Sequence, residues 1–170
     1  MLISIQYSID NMRGGMKIYI MRHGQAGLYA NSDAERELTG TGRQQSADMA
    51  SWLSAIEPTL DCVLHSPYVR AAQTWQVIGN FFTVNKVQVC EDITPYGDAE
   101  FIADYIRALV AEYNYETILL VSHLPVVSYL TAALTNGKHM PAFATSAIAC
   151  LELNENDCQL KWLETSHSIS

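Results

Sequence analysis

Lys17-Ile18-Tyr19-Ile20-Met21-Arg22-His23-Gly24 is the stretch on which the fold turns, an apolar run of strand length that closes on Arg, His and Gly. A short β-branched and aromatic run bounded by a turn residue reads as a strand. That strand delivers Arg22 and His23 to its carboxyl end, where open α/β sheets place their ligands. Gly24 beside them would let a ligand approach the backbone closely. An imidazole flanked by a guanidinium at such a position suits phosphoryl chemistry, because it pairs a nucleophile with a cation that grips oxyanions.

Two later stretches repeat the arrangement. Asp61-Cys62-Val63-Leu64 runs into His65-Ser66-Pro67-Tyr68-Val69-Arg70. Ser66 is the expected N-cap of a helix and Pro67 its first residue, which puts Arg70 one turn in. Thr117-Ile118-Leu119-Leu120-Val121-Ser122-His123 is another apolar strand ending in His, with a helix expected after Leu124-Pro125. If the three strands are parallel neighbours, Arg22, His23, Arg70 and His123 converge. The structural alternatives are that His123 caps its helix and that Arg70 pairs with an acidic helix neighbour. His65, at the mouth of the sheet, belongs either near the pocket or in the core.

The rest of the chain supports one domain. Strands are predicted at 17–21, 61–65, 86–90, 117–122 and 147–153, and helices at 42–56, 68–82, 99–113 and 126–134. Asp98 is the expected N-cap of the third helix, and Asn136-Gly137 the expected stop after the fourth. A turn at 154–157 followed by 158–163 reads as a hairpin. The sum is a three-layer α/β/α sandwich with a mostly parallel sheet and an antiparallel C-terminal edge strand. This single domain is expected over residues 16–170, with residues 1–15 a flexible extension that lacks the features of a targeting signal. Trp52 and Trp75, on helix faces, are expected to pack in the core.

Composition narrows the class further. With 49% hydrophobic and 16% charged residues in 170, the chain has enough apolar material for one soluble core. A formal net charge of −8, with only ten Lys and Arg and no basic cluster, argues against nucleic acid or an anionic membrane as partner. No segment is long enough to span a bilayer. Cys62, Cys90, Cys150 and Cys158 form no CxxC pair and read as buried free thiols in a reducing, cytoplasmic compartment. The five histidines show no ligand spacing, so no metal is expected. A Cys-based phosphatase loop and a GxxxxGK[ST] loop are both lacking, which removes two other phosphate chemistries.

The ordered motifs Arg22-His23-Gly24, Leu38-Thr39-Gly40-Thr41-Gly42, Ser66-Pro67 with Arg70-Ala71 and Gln73-Thr74, and Ser122-His123 resemble the histidine phosphatase superfamily, also called phosphoglycerate mutase-like. Thr94-Pro95-Tyr96-Gly97-Asp98, Ser122-His123-Leu124-Pro125 and Thr145-Ser146-Ala147-Ile148-Ala149 are similar more narrowly to its small SixA-type phosphohistidine phosphatases. The resemblance implies a phosphoglycerate mutase-like fold, His23 as nucleophile, phosphate binding by Arg22, Arg70 and His123, and no cofactor. It implies as partner a phosphorylated histidine-containing phosphotransfer protein, with inorganic phosphate as product. Many members place a carboxylate after the third strand as general acid, and Asp92 fits that position best among Glu91, Asp92 and Asp98. A phosphohistidine substrate needs less help, because its leaving imidazole has a pKa near 6.5. Short connections at 24–38 and 93–97 leave little to roof the site, so an open pocket is expected. A small-molecule phosphomonoesterase and a non-catalytic phosphoprotein-binding module are the competing readings.

Overall fold

The computed structural model describes residues 15–170, so the expected extension at 1–15 lies outside the described residues apart from Gly15. Six strands form one sheet in the order β3-β2-β4-β1-β5-β6. They are β1 (Met16–Arg22), β2 (Thr59–His65), β3 (Thr83–Val89), β4 (Thr117–Ser122), β5 (Ile148–Leu153) and β6 (Cys158–Glu164). β1, β4, β2 and β3 run parallel, while β5 and β6 are antiparallel to their neighbours. The antiparallel edge is therefore a two-strand hairpin. It sits beside β1, across from β4.

Alternation along β1 divides the core into two halves, because successive side chains leave opposite faces of a strand. Ile18 and Ile20 pack with Ile102, Ile106, Val127 and Leu130 of α3 (Ala99–Tyr113) and α4 (Val126–Leu134). Tyr19 and Met21 pack with Met49, Leu53, Ala71 and Ile78 of α1 (Gly40–Ile56) and α2 (Val69–Ile78). Helices on both faces of a buried sheet give the expected three layers. Trp52 and Trp75 pack half-buried against the second of these cores. All four cysteines are free and buried.

Helix ends follow local chemistry. Thr39 caps α1 by accepting the Gly42 amide at 3.0 Å, so that helix begins at Gly40, ahead of the expected Gly42. Asp98 caps α3, its Oδ1 accepting the amides of Glu100 and Phe101. After α4, Asn136 and Gly137 take the left-handed conformation at φ 52° and 78°, which stops the helix where the sequence indicates. α2 departs from expectation. It starts at Val69, with Tyr68 extended at its N-cap, and it gives way after Ile78 to a 3-10 turn, Gly79–Phe81. β3 begins at Thr83, ahead of the expected Lys86. As an edge strand it is largely exposed and lacks the apolar pattern that marks the others. Among the described residues no helix is long and apolar enough to cross a membrane.

Candidate active site

The site forms where β1, β4 and β2 end side by side. Register pairs Arg22 with Ser122 and His65 with Val121, so the residues that follow these strands emerge together. The His23 amide donates to the Ser122 carbonyl at 2.9 Å, and the Ser66 amide to the Val121 carbonyl at 3.0 Å. The His23 and His123 rings lie 5.0 Å apart between centroids. Arg70, from the first turn of α2, donates its Nε–H to His23 Nε2 at 3.1 Å. His23, Arg70 and His123 are only 6%, 4% and 1% exposed, so the cluster is a pocket set into the sheet's end.

His23 has its tautomer fixed from both sides. Its Nδ1 lies 2.7 Å from the Gly24 carbonyl, which can only accept, so Nδ1 carries the proton. Nε2 faces a guanidinium N–H, which can only donate, so Nε2 holds a lone pair. Burial, followed by the charges of Arg70, Arg22 and Arg36, lowers the His23 pKa from 6.5 to about 4, against the opposing hydrogen bond to Gly24. Desolvation is the larger cause.

His123 Nε2 meets the Ser66 hydroxyl at 2.7 Å. That hydroxyl also accepts the Tyr68 amide at 3.2 Å. Burial, followed by the charges of His23 and Arg70, lowers the His123 pKa to about 2. Arg22 is anchored by Nη1 donating to the Phe143 carbonyl at 2.8 Å. Burial and the nearby Arg70 lower its pKa as well. Arg22 Nε and His123 Nδ1 are buried with no partner. Two buried nitrogens left unsatisfied in one pocket cost roughly 1–3 kcal/mol each.

Packing around the motif explains its small residues. A Cβ on Gly24 would lie 2.7 Å from the Gly42 carbonyl and 2.7 Å from Ser46 Oγ, both on α1. Gly24 therefore makes room for a helix, which corrects the expectation that it admits a ligand. Its amide donates to Thr74 Oγ1 at 3.0 Å, and that hydroxyl donates to the Arg70 carbonyl at 2.7 Å. On the far side, Ser146 sits in the left-handed region at φ 63°. Its amide donates to the His23 carbonyl at 3.1 Å, and its hydroxyl meets Ser46 Oγ at 2.9 Å.

The four expected residues, Arg22, His23, Arg70 and His123, are thus brought together. Asp92 is not: it lies on an exposed 3-10 turn, Glu91–Ile93, and its carboxylate makes no hydrogen bond or ion pair with the four. His65 is buried beside them, its Nδ1 donating to the Ser66 carbonyl at 2.9 Å. Among the described residues no group of three or more His, Cys, Asp or Glu is arranged around a metal position.

Asp33 is the carboxylate that sequence reasoning missed. Arg70 Nη1 donates to the Asp33 carbonyl at 2.6 Å and Nη2 to Asp33 Oδ2 at 3.1 Å. Arg36 adds a contact to Oδ1 at 2.9 Å. Although the 24–38 connection is short, it reaches the pocket. The local signal was an Asp and an Arg three residues apart in a loop, with nothing to indicate a partner at Arg70.

A family model described as histidine phosphatase superfamily (branch 1) matches residues 18–100. The chain belongs to the histidine phosphatase superfamily. Within it the chain is similar to phosphohistidine phosphatase SixA of Escherichia coli (strain K12), at 41% identity over 142 residues covering 83% of this chain and 88% of that protein. A SixA homologue from Haemophilus influenzae is 37% identical over 162 residues, 91% of this chain and 98% of the homologue. A solved structure of the protein histidine phosphatase SixA complexed with tungstate matches with a TM-score of 0.87 at 38% identity, covering 91% of this chain and 100% of that one.

Proposed function

We propose that this protein is a phosphohistidine phosphatase acting on a histidine-containing phosphotransfer protein, through a phosphohistidine on His23. The observation that carries the reading is the His23 lone pair, neutral by burial and held 3.1 Å from the Arg70 guanidinium. A buried, uncharged Nε2 is a nucleophile for phosphorus. Guanidinium groups and the His123 imidazole supply charge and donors for the equatorial oxygens. A pocket made only to bind phosphate has no use for such a nucleophile.

In the first step His23 Nε2 attacks phosphorus and the bond to the substrate's imidazole nitrogen breaks, the electron pair returning to that nitrogen while the ring, protonated at its other nitrogen, leaves as neutral imidazole. Water then attacks the phosphoenzyme and inorganic phosphate leaves, with His23 restored. No cofactor enters either step. With the substrate ring already protonated the leaving group is a neutral imidazole, so no acid from Asp92 is required. The similarity to SixA, named a phosphohistidine phosphatase, supports the same substrate class. Buried free thiols and an acidic surface fit a cytoplasmic setting.

The test has two arms. Rapid quench with labelled substrate is expected to trap an acid-labile phosphoenzyme that is lost in His23→Ala. Turnover of a phosphorylated phosphotransfer domain is then compared with that of p-nitrophenyl phosphate. Strong hydrolysis of the ester with none of the phosphoprotein would reject the protein substrate.

A further inference from the structure

We propose that Asp33 stands in for the phosphoryl group at Arg70, so that every anion entering the pocket must first displace it. The inference rests on the reading of Arg70 as a phosphoryl-binding residue. Arg70 spends three donors in the free protein: Nε–H on His23, Nη1–H on the Asp33 carbonyl and Nη2–H on its carboxylate. Those N–H groups form the fork that matches a tetrahedral oxyanion. A phosphoryl group and Asp33 therefore compete for one set of donors.

The exchange also reaches the nucleophile. While Arg70 Nε–H points at His23 Nε2, the lone pair that would attack phosphorus is occupied. When a phosphoryl group takes the guanidinium, that hydrogen bond is redirected to oxygen and the lone pair is released. Free protein is thus masked twice, with Asp33 on the guanidinium and the guanidinium on the imidazole.

Asp33 is suited to leave. Its side chain is 49% exposed, whereas that of Arg70 is 5% exposed. It retains Arg36 as a partner and, with Leu28, Ala30, Ser32 and Arg36, lines a cavity of about 340 Å³ that gives the released carboxylate open space. Hydrogen bonds from Arg36 and Arg70 hold its carboxyl below the usual range, so it is an anion at neutral pH. Binding then replaces one anion with another, and inorganic phosphate is retained weakly after hydrolysis.

Titration of inorganic phosphate into the full chain, followed calorimetrically, tests this with Asp33→Asn, Arg70→Ala and the double variant. Asp33→Asn is expected to bind phosphate roughly three- to fivefold more tightly, the scale of a half-exposed ion pair. That gain is expected to vanish in the Arg70→Ala background. Equal or weaker binding by Asp33→Asn overturns the proposal, since damage to a merely structural contact would loosen the site. A gain that persists without Arg70 also overturns it, by showing a diffuse charge effect. If Arg70→Ala alone leaves phosphate binding unchanged, the phosphoryl-binding role of Arg70 fails, and the proposal with it.

Discussion

The two helical layers bury the same sheet but do different work. α3 and α4 present Ile102, Ile106, Leu109, Val127, Leu130 and Leu134 to it, an apolar surface. α1 and α2 pack as well, yet the contacts just past the end of β1 are polar: Arg70 bonds His23, Thr74 bonds Gly24, and Ser46 and the Gly42 backbone close on Gly24. One layer sets stability and the other sets geometry. The division follows from where the sheet ends, because only a helix crossing the carboxyl end of β1 can reach both His23 and Gly24.

Four substitutions or conditions probe that division. Arg70→Ala is expected to lower turnover by roughly 10²–10³, the cost of deleting an oxyanion contact. Its circular dichroism should remain native. Loss of fold instead would make Arg70 as structural as the opposite layer. Ile106→Ala, fully buried in α3, is expected to cost about 2–5 kcal/mol by urea denaturation while kcat below the transition stays within about twofold. A large fall in kcat would show that the layers are coupled.

Acid sharpens the contrast without mutation. His23 is neutral down to about pH 4, so the acid limb of kcat/KM is expected near that value and not near 6.5. Stability has a matching sign: a histidine with a lowered folded pKa costs nothing above pH 6.5 and destabilises the fold as pH falls from there through 4. His123 acts in the same direction. An acid limb at 6.5 would mean that the pocket is wetter than its burial indicates. Asp92→Asn carries the smallest effect, less than about threefold on a phosphohistidine substrate whose leaving group has a pKa near 6.5. A hundredfold loss would restore Asp92 as the acid.

What the sequence revealed follows the same physical line. β1, β2 and β4 are legible because strands buried on both faces must be continuously apolar, and the residues closing them are therefore conspicuous. β3 begins before the expected Lys86, since Thr83 and Asn85 on an exposed edge carry no such demand. Ser66-Pro67 has the composition of a helix start, and the Ser66 hydroxyl accepts the Tyr68 amide, but Tyr68 keeps an extended backbone and α2 starts at Val69. Gly24 was correctly singled out for the wrong reason, because helix packing against it is a long-range fact. Asp33 was invisible: its significance lies wholly in Arg70, 37 positions away, and loops have no periodicity to announce a partner.

Ser146 gives the C-terminal hairpin a task that its own side chains do not suggest. The last peptide units of β1 are held from the hairpin side by Ala147 and Ser146, whose carbonyl and amide engage Arg22 and His23 at 3.1 Å each. A polypeptide ending after α4 would still encode both imidazoles and both guanidinium groups, but the nucleophile's own backbone would lose its brace. The hairpin is scaffolding for a reaction in which it takes no chemical part, and its removal would blunt catalysis by misalignment.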